Sequence, residues 1–364
     1  MFRTCCLLAC FAVPALISAT ELDFDLAGHE GFPLPAKWSL PEGGAGVKPA
    51  AVVVLLHGSG AQSMDEDLTA STVGKQRNLF FADLASALAE TGLAGLRYHK
   101  RSYVLNALLA KDPKAKEKHG SFYANPLYYF VEDARAAVRA AHERFPGAAV
   151  LLLGHSEGTC VALRVAKEEK FVAGIGLIGF LSTPIVTAVF EQVVYRPLEQ
   201  FQDLDADRDR SLSRAELTPA HPLTAALTAQ WAMLDLDGDD RLSSMEFRGG
   251  SLSNLLLNEL LIPNSYIVQE TKYAQPAQIL SGLEVPVVFF QGTYDNQTPE
   301  YHTRAIEFLN RSVWKKSNLQ FHYYPGKGHA LDSRECYQDL FYRPVEPAIA
   351  KDVAQKMQAL SAQR

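Results

Sequence analysis

Cysteine is scarce in this sequence, and its basic residues form no patch. Only five of the 364 residues are cysteine, and three of these fall within the first ten positions. The remaining pair, Cys160 and Cys336, allows at most one disulfide, and we favour two free, buried thiols. The lack of a basic patch excludes the nucleic-acid-binding class, because such proteins contact phosphates through clustered lysine and arginine.

An apolar run long enough to span a bilayer is absent from the N-terminal segment. Residues 5–17 are apolar and follow Arg3. The run is shorter than the roughly 20 residues that a membrane-spanning helix needs, and Pro14 interrupts it. We therefore predict a signal peptide at 1–19 that is cleaved near Ala19, which implies a periplasmic or secreted protein without a stable membrane anchor.

Charge of one sign is concentrated in a single segment. The formal net charge is −6, and residues 203–246 alone carry ten carboxylates and four arginines. The rest of the chain is therefore close to neutral. Its 48% hydrophobic and 21% charged residues are ordinary for a globular protein with a sizeable core.

Predicted strands and helices alternate along most of the chain. Uninterrupted apolar runs suit strands buried on both faces of a sheet, and apolar residues at helical spacing indicate the helices between them. Strands are expected at 22–26, 36–40, 51–56, 93–97, 149–153, 172–178, 285–291 and 319–324. Helices are expected at 80–90, 126–145, 157–167, 299–309 and 346–360. This order predicts an α/β fold with a doubly wound, mostly parallel sheet and an antiparallel edge.

The segment Gly154-His155-Ser156-Glu157-Gly158 lies between a predicted strand and a predicted helix. This context is typical of a nucleophile elbow, in which a strained turn exposes the serine hydroxyl. Glycine on either side removes side chains where the strand and the helix crowd each other. The alternative is a serine in an ordinary tight turn.

A serine hydroxyl needs a base to become a nucleophile, and the base needs an acid to orient it. Asp295 follows the predicted strand 285–291, and His329 follows the predicted strand 319–324. The carboxyl ends of parallel strands meet at one edge of a sheet. We therefore predict that Ser156 attacks, His329 is the base and Asp295 orients it.

Two backbone amides are expected to hold the negative oxygen that such an attack creates. Glu157, immediately after the nucleophile, supplies one of them. Ser59, in the loop His57-Gly58-Ser59-Gly60 after strand 51–56, supplies the other. We interpret His57 as structural.

Together these segments resemble the α/β-hydrolase superfamily over nearly the whole chain beyond the signal peptide. Residues 96–101 are similar to a strand and loop of bacterial esterases related to dienelactone hydrolases and serine aminopeptidases, which often carry Asp where His99 stands. The resemblance implies hydrolysis of an ester, amide or thioester through an acyl-enzyme. We favour a small carboxylic ester as substrate. A peptidase or amidase, with Glu157 or Glu191 binding a substrate amino group, is the alternative, and a non-catalytic calcium-dependent binding protein is less favoured.

Residues 181–284 are too many for a loop without structure of its own, so we predict an inserted helical lid between hydrolase segments 20–180 and 285–364. Two windows in it, thirty residues apart, match the calcium loop D-x-[DN]-x-[DN]-G-x5-E. Their spacing resembles an EF-hand pair at about 201–248, with two structural Ca²⁺ ions. The expected ligands of the first loop are Asp205, Asp207, Asp209, Glu216 and the carbonyl of Ser211. Those of the second loop are Asp235, Asp237, Asp239, Glu246 and the carbonyl of Arg241.

The sixth position of each calcium loop departs from the usual glycine. Arg210 occupies it in the first loop and Asp240 in the second. A side chain in left-handed backbone costs on the order of 1 kcal/mol, and aspartate tolerates it better than arginine. We therefore expect both loops to bind, the first more weakly. Leu212 and Leu242, at the eighth positions, are expected to pair in a short strand contact.

Overall fold

The computed structural model describes residues 19–221, 223–262 and 265–362. The predicted signal peptide, apart from Ala19, lies outside these ranges. Among the described helices, none combines the length and the apolar character that crossing a membrane requires.

An eight-stranded sheet lies at the centre of the molecule. In chain order the strands are β1 (Thr20–Ala27), β2 (Pro33–Leu40), β3 (Ala51–Leu56), β4 (Ala94–Tyr98), β5 (Ala149–His155), β6 (Val172–Ile178), β7 (Ser211–Leu212), β8 (Leu242–Ser243), β9 (Val287–Gly292) and β10 (Leu319–Tyr324). The order across the sheet is β1-β2-β4-β3-β5-β6-β9-β10, and β7 pairs with β8 apart from it. Strand β2 is antiparallel to β1 and to β4, whereas the pairs from β4 to β10 are parallel. The predicted sheet and its antiparallel edge are confirmed.

Helices cover both faces of this sheet. In chain order they are α1 (Phe80–Glu90), α2 (Arg101–Leu109), α3 (Ala115–Lys118), α4 (Gly120–Ala124), α5 (Pro126–Arg144), α6 (Glu157–Glu168), α7 (Ile185–Phe190), α8 (Arg196–Leu204), α9 (Thr224–Leu234), α10 (Ser244–Leu255), α11 (Tyr266–Glu270), α12 (Pro276–Gly282), α13 (Tyr301–Leu309) and α14 (Pro347–Ser361). Helical turns of the π type extend α7, α10 and α13, at Glu191–Tyr195, Leu256–Leu260 and Asn310–Trp314. Helices α1 and α14 pack on one face, and α5, α6, α12 and α13 pack on the other.

Strand β3 shows why its sequence is apolar at every position. Val52 and Val54 pack with the helices on one face of the sheet, while Val53 and Leu55 pack with α1 and α14 on the other. All four side chains are buried. A strand between two helical layers has no solvent face on which to place polar residues.

The segment between β6 and β9 contains two kinds of structure. Helices α8, α9 and α10 and the β7–β8 pair enclose a separate small core that includes Phe201 and Trp231. Helix α12 instead buries Ile279 and Leu280 in the main core beside the sheet. The predicted insertion, taken to residue 284, thus includes one helix that packs as part of the central layer.

Both cysteines of the described chain are free thiols, as favoured from the sequence. Cys160 lies on α6 and is buried, and burial raises its pKa to about 11. The expectation that both are buried is wrong for Cys336, which is exposed. Nothing in its local sequence, between Glu335 and Tyr337, distinguished a surface loop from a packed one.

Helix α6 touches β3 at a glycine, and this contact gives a stability prediction. A Cβ atom on Gly158 would lie 2.0 Å from the carbonyl oxygen of Leu56. In Gly158→Ala the backbone of α6 must therefore move away from the backbone of β3. We expect its free energy of unfolding in urea to fall by about 2–3 kcal/mol. Gly249→Ala is the control, because that helical glycine in α10 has open space around it; we expect a gain of about 0.5–1 kcal/mol. If Gly158→Ala were as stable as the wild type, the close contact between α6 and β3 would be contradicted.

Candidate active site

Ser156 occupies a strained turn between β5 and α6. Its backbone angles are φ 55° and ψ −120°, a conformation that costs a non-glycine residue about 1–3 kcal/mol. Its N–H donates to the carbonyl of Ile178 on the neighbouring strand at 2.9 Å. A Cβ on Gly154 would lie 2.4 Å from the carbonyl oxygen of Gly158, so glycine is required where strand and helix cross. The predicted strand–turn–helix context is confirmed.

Asp295 and His329 form a direct pair at the same sheet edge. Asp295 follows β9 and is completely buried, and His329 follows β10. The Nδ1 atom of His329 lies 2.9 Å from Oδ2 and 3.0 Å from Oδ1 of Asp295. The backbone N–H groups of Gln297 and Thr298 each donate to Oδ1 at 2.9 Å. The carboxylate is therefore fixed by several donors at once.

The surroundings of Asp295 keep it ionised. Burial alone would raise its pKa, but the charge and hydrogen bond of His329, together with the two amide donors, hold the pKa below its ordinary value of 3.8. A carboxylate at this position accepts a hydrogen bond from the Nδ1–H group of the imidazole. The Nε2 atom of His329 is then left with a lone pair, as a base requires.

The ring of His329 lies against the serine elbow. It is 4.7 Å from the ring of His155, between ring centroids, and a Cβ on Gly179 would lie 2.8 Å from it. Within the described ranges, the hydroxyl of Ser156 forms no hydrogen bond. The structure thus joins Asp295 to His329 directly, and the residue before Ser156 packs against the His329 ring.

The two predicted amide donors lie on the segments that flank Ser156. A Cβ on Gly58 would lie 3.3 Å from Cβ of Ser156, so the loop after β3 contacts the elbow. Glu157 begins α6, where an N–H has no acceptor within the helix. In the part of the chain that the structure describes, the N–H of Ser59 has no acceptor either. Both amides remain available to a ligand at the elbow.

Glu66 is a buried residue of this site that no sequence pattern indicated. Its Oε1 atom accepts the N–H of Gly58 at 2.9 Å and lies 2.8 Å from Nδ1 of His155. The carboxylate therefore connects the loop after β3 to the residue directly before Ser156. A glutamate in a loop carries no local signal for such a contact, since its partner His155 is 89 positions away.

Lys100 is the second buried charge that sequence reasoning missed, although it lies in the segment 96–101 that carried the family resemblance. Its Nζ atom donates to the carbonyl of Gly58 at 2.7 Å and to Oε1 of Glu157 at 3.0 Å. Both charged side chains are buried. The Glu157 carboxylate, which the peptidase alternative assigns to a substrate amino group, thus already pairs with Lys100.

His57 has the structural character expected from its sequence position. It is buried and packs against the rings of Phe81 and Tyr98. Burial lowers its pKa to about 3, so the imidazole is neutral at physiological pH. It therefore supplies no charge to the neighbouring elbow.

The acidic loops of the segment between β6 and β9 gather their aspartates. One carboxylate oxygen from each of Asp205, Asp207 and Asp209 lies within 4.8 Å of the other two, and the same holds for Asp235, Asp237 and Asp239. Glu216 and Glu246 lie outside these two groups. Each accepts backbone N–H bonds in a capping box, from Ser213 and Ser243 respectively.

The backbone of these loops is left-handed at the sixth positions and paired at the eighth. Arg210 and Asp240 have left-handed backbone, with φ of 67° and 57°. Leu212 and Leu242 lie opposite each other in the antiparallel β7–β8 pair.

Two ion pairs cross between the acidic loops. Arg241 of the second loop binds Asp209 of the first, and Arg214 binds Asp240. Three converging carboxylates in each loop offer the oxygen ligands that a hard cation such as Ca²⁺ takes. The residues present therefore fit the group that the sequence predicted.

Comparisons with known proteins agree on the type of fold. A family model described as serine aminopeptidase, S33, matches residues 47–333. Esterase EstD of Thermotoga maritima is 33% identical over 162 residues, which are 44% of this chain and 34% of that protein. The chain thus spans about a third of the length of this curated relative.

Two solved structures are similar in fold. A puromycin-hydrolyzing peptidase of Mycobacterium tuberculosis has a TM-score of 0.51 at 15% identity, over 98% of this chain and 41% of that one. An esterase of Pyrococcus furiosus has a TM-score of 0.50 at 12% identity, over 95% of this chain and 91% of that one. At these identities the similarity shows the fold alone.

The Glu66–His155 pair gives a prediction for stability against pH. Burial opposes both charges, but their attraction and hydrogen bond hold the pKa of Glu66 below its ordinary 4.5 and the pKa of His155 above its ordinary 6.5. The glutamate's contribution is complete above pH 4.5 and is lost as pH falls through its folded pKa. The histidine's contribution is complete below pH 6.5 and is lost as pH rises through its folded pKa. Both contributions are complete only between these two values.

We therefore expect Glu66→Gln to lower the free energy of unfolding by about 1–3 kcal/mol between pH 4.5 and 6.5, and by less on either side. Urea unfolding of the variant and the wild type from pH 3 to pH 9 measures the difference. Glu143→Gln is the control, because that side chain is exposed. A difference for Glu66→Gln that does not vary with pH would contradict the paired charges.

Proposed function

The chain belongs to the serine aminopeptidase S33 family of α/β-hydrolases, and from this premise we propose that it hydrolyses small carboxylic esters through an acyl-enzyme on Ser156. The observation that carries the proposal is the fixed Asp295–His329 pair beside a serine held in a strained elbow. A structural serine in a turn has no need of a buried, ionised carboxylate and an imidazole next to it.

Each residue has one task in the proposed reaction. The hydroxyl oxygen of Ser156 attacks the ester carbonyl while Nε2 of His329 takes its proton, and Asp295 stabilises the resulting imidazolium. The amides of Ser59 and Glu157 donate to the oxyanion of the tetrahedral intermediate. His329 then gives the proton to the leaving alcohol. A water molecule then attacks the acyl-enzyme while His329 takes its proton. The proton returns to the oxygen of Ser156 as the carboxylic acid is released.

Ester hydrolysis is favoured over peptidase activity by the charges near the serine. An aminopeptidase needs a carboxylate to hold the substrate's terminal amino group. The two carboxylates considered for this role already have partners. Lys100 pairs with Glu157, and the hydroxyl of Tyr301 donates to Glu191 at 2.6 Å. The curated relative EstD is named as an esterase, which supports the same choice. A peptidase or amidase on the same residues is the second candidate, because the matching family is described by that activity.

A fluorophosphonate probe tests the nucleophile. We expect it to label the wild type, and to label Ser156→Ala not at all because the attacking oxygen is gone. The rate constant kcat/KM on aryl esters should fall by about 10⁴-fold or more in that variant. Ser312→Ala, an exposed serine on the turn after α13, is the matched control.

Equal labelling of the wild type and Ser156→Ala would eliminate the serine mechanism. Esterase and peptidase activity are distinguished by assaying aryl esters and aminoacyl arylamides side by side. Faster turnover of the amides would favour the peptidase.

We also propose that loops 205–216 and 235–246 each bind one Ca²⁺ ion, which stabilises the insertion and takes no part in the chemistry. The converging aspartates support this, with the carbonyls of Ser211 and Arg241 as further ligands and Glu216 and Glu246 turning inward to complete the shells. Affinity in the millimolar range suits an exported protein, and the N-terminal sequence supports export with cleavage near Ala19.

Arg210 provides a test of the calcium sites. Its φ of 67° is unfavourable for any residue with a Cβ. Arg210→Gly should therefore lower the dissociation constant of the first loop for Ca²⁺ about five-fold, equivalent to about 1 kcal/mol. Arg210→Ala removes the charge but keeps the Cβ, so it separates the two effects. Calorimetric titration with CaCl₂ measures both variants. The absence of any binding at millimolar calcium would contradict the proposal.

A further inference from the structure

One buried cation is bonded to both segments that carry the proposed oxyanion donors. The Nζ atom of Lys100 lies 2.7 Å from the carbonyl oxygen of Gly58 and 3.0 Å from Oε1 of Glu157. Lys100 is 5% exposed, and its ammonium group lies 4.3 Å from the centre of the Phe130 ring. Lys100 has no task in the proposed reaction.

The bond to Gly58 fixes the direction of the next amide. The carbonyl of Gly58 and the N–H of Ser59 belong to one planar peptide group, and in a trans peptide they point in opposite directions. No cis peptide bond occurs in the described chain. An ammonium group on the carbonyl side therefore holds the Ser59 N–H pointing away from Lys100. Because a Cβ on Gly58 would lie 3.3 Å from Cβ of Ser156, this peptide group lies close to the proposed nucleophile.

Other contacts hold the same loop from the remaining sides. The N–H of Gly58 donates to Glu66, so both polar groups of this residue bind buried charged side chains. The carbonyl of Ser59 accepts from Gln62 at 2.9 Å, and the carbonyl of Gly60 accepts from Ser102 at 3.0 Å. Three consecutive carbonyls are thus bound to side chains, while the Ser59 amide is left for a ligand.

We propose that Lys100 is a positioning residue for the oxyanion hole: it fixes the Gly58–Ser59 peptide and, through Glu157, the start of α6, so that both amide donors converge on one oxygen. This inference rests on the proposed hydrolase function. A merely structural role explains the geometry less well. A buried ion pair is seldom more stabilising than apolar residues of the same size, and here the ammonium also bonds to the peptide that carries a donor.

The test replaces the buried pair without leaving a charge unpaired. In Lys100→Met/Glu157→Gln the packing volume is kept, no lone ion is buried, and the Glu157 amide remains as a backbone group. Lys100→Met alone would leave the Glu157 carboxylate buried and unpaired, so its folding is less certain to survive. Lys100→Arg restores a donor to the Gly58 carbonyl.

The measurements are kcat and KM on an aryl ester and on its thiono analogue, in which sulfur replaces the carbonyl oxygen. A misdirected donor weakens only the transition state, so kcat of the double variant should fall by about 10- to 100-fold with KM changed less than about two-fold. The ester-to-thionoester rate ratio should fall as well, because sulfur depends less on these donors. Lys100→Arg should recover most of both.

Arg164→Met/Glu270→Gln is the matched control. It neutralises another buried ion pair on α6, away from the loop after β3. Its ester-to-thionoester ratio should equal that of the wild type, even if its melting temperature falls.

Two failures are distinguishable. If the wild type is not labelled by fluorophosphonate, the hydrolase proposal and this inference both fall. If the wild type is labelled and hydrolyses esters, but the folded double variant keeps kcat and the rate ratio, the hydrolase stands and the role of Lys100 is overturned. A change in KM alone also overturns it, since that would mean contact with the bound substrate rather than with the oxyanion.

Discussion

The close approach of helix α6 to strands β3 and β5 is the constraint on which the site depends. Gly154 and Gly158 meet backbone atoms at distances that exclude any Cβ. This contact holds Ser156 at a positive φ, which the chain would leave if the helix were free to move. The atom that Gly158 faces is the carbonyl of Leu56, one residue before the loop that bears Ser59. A single backbone contact therefore sets the distance between the nucleophile and both segments that carry the proposed amide donors.

Buried charged side chains then fix the loop after β3, whose conformation the backbone contact alone does not determine. An ion in a protein interior loses its hydration, so it persists only where partners replace the water. Arg101 and Asp133 do this for each other, and Asp133 also accepts the N–H of His29. Glu66 and Lys100 differ from this pair, because each also forms a hydrogen bond with the backbone of Gly58. Their desolvation is offset by positioning contacts at the reaction site as well as by pairing.

The parts of the structure predicted from sequence are those determined by short stretches of chain. Strands β3, β6 and β10 and helix α1 begin and end at the predicted residues, and other predicted elements differ by one to three residues. The elbow and the loop positions of Asp295 and His329 follow from the same alternation. Glu66 and Lys100 were missed because their contacts join residues 89 and 42 positions apart, which no periodicity encodes. Helices α2, α3 and α4 were not predicted, since they are short and lack a regular apolar face.

Glu270 is one of the buried residues that attach the insertion to helix α6. Glu270 of α11 is fully buried, pairs with Arg164 of α6 at 2.8 Å and accepts the N–H of Ile185 at the start of α7. Residues on both sides of the acidic loops thus converge on the helix that begins beside Ser156. The proposed reacting groups lie on loops of the central sheet, and none of their hydrogen bonds within the described residues involves an acidic loop. In the proposed function, a Ca²⁺ ion in those loops therefore acts on the stability of the insertion and its attachment to α6, and proton transfer stays with Asp295 and His329.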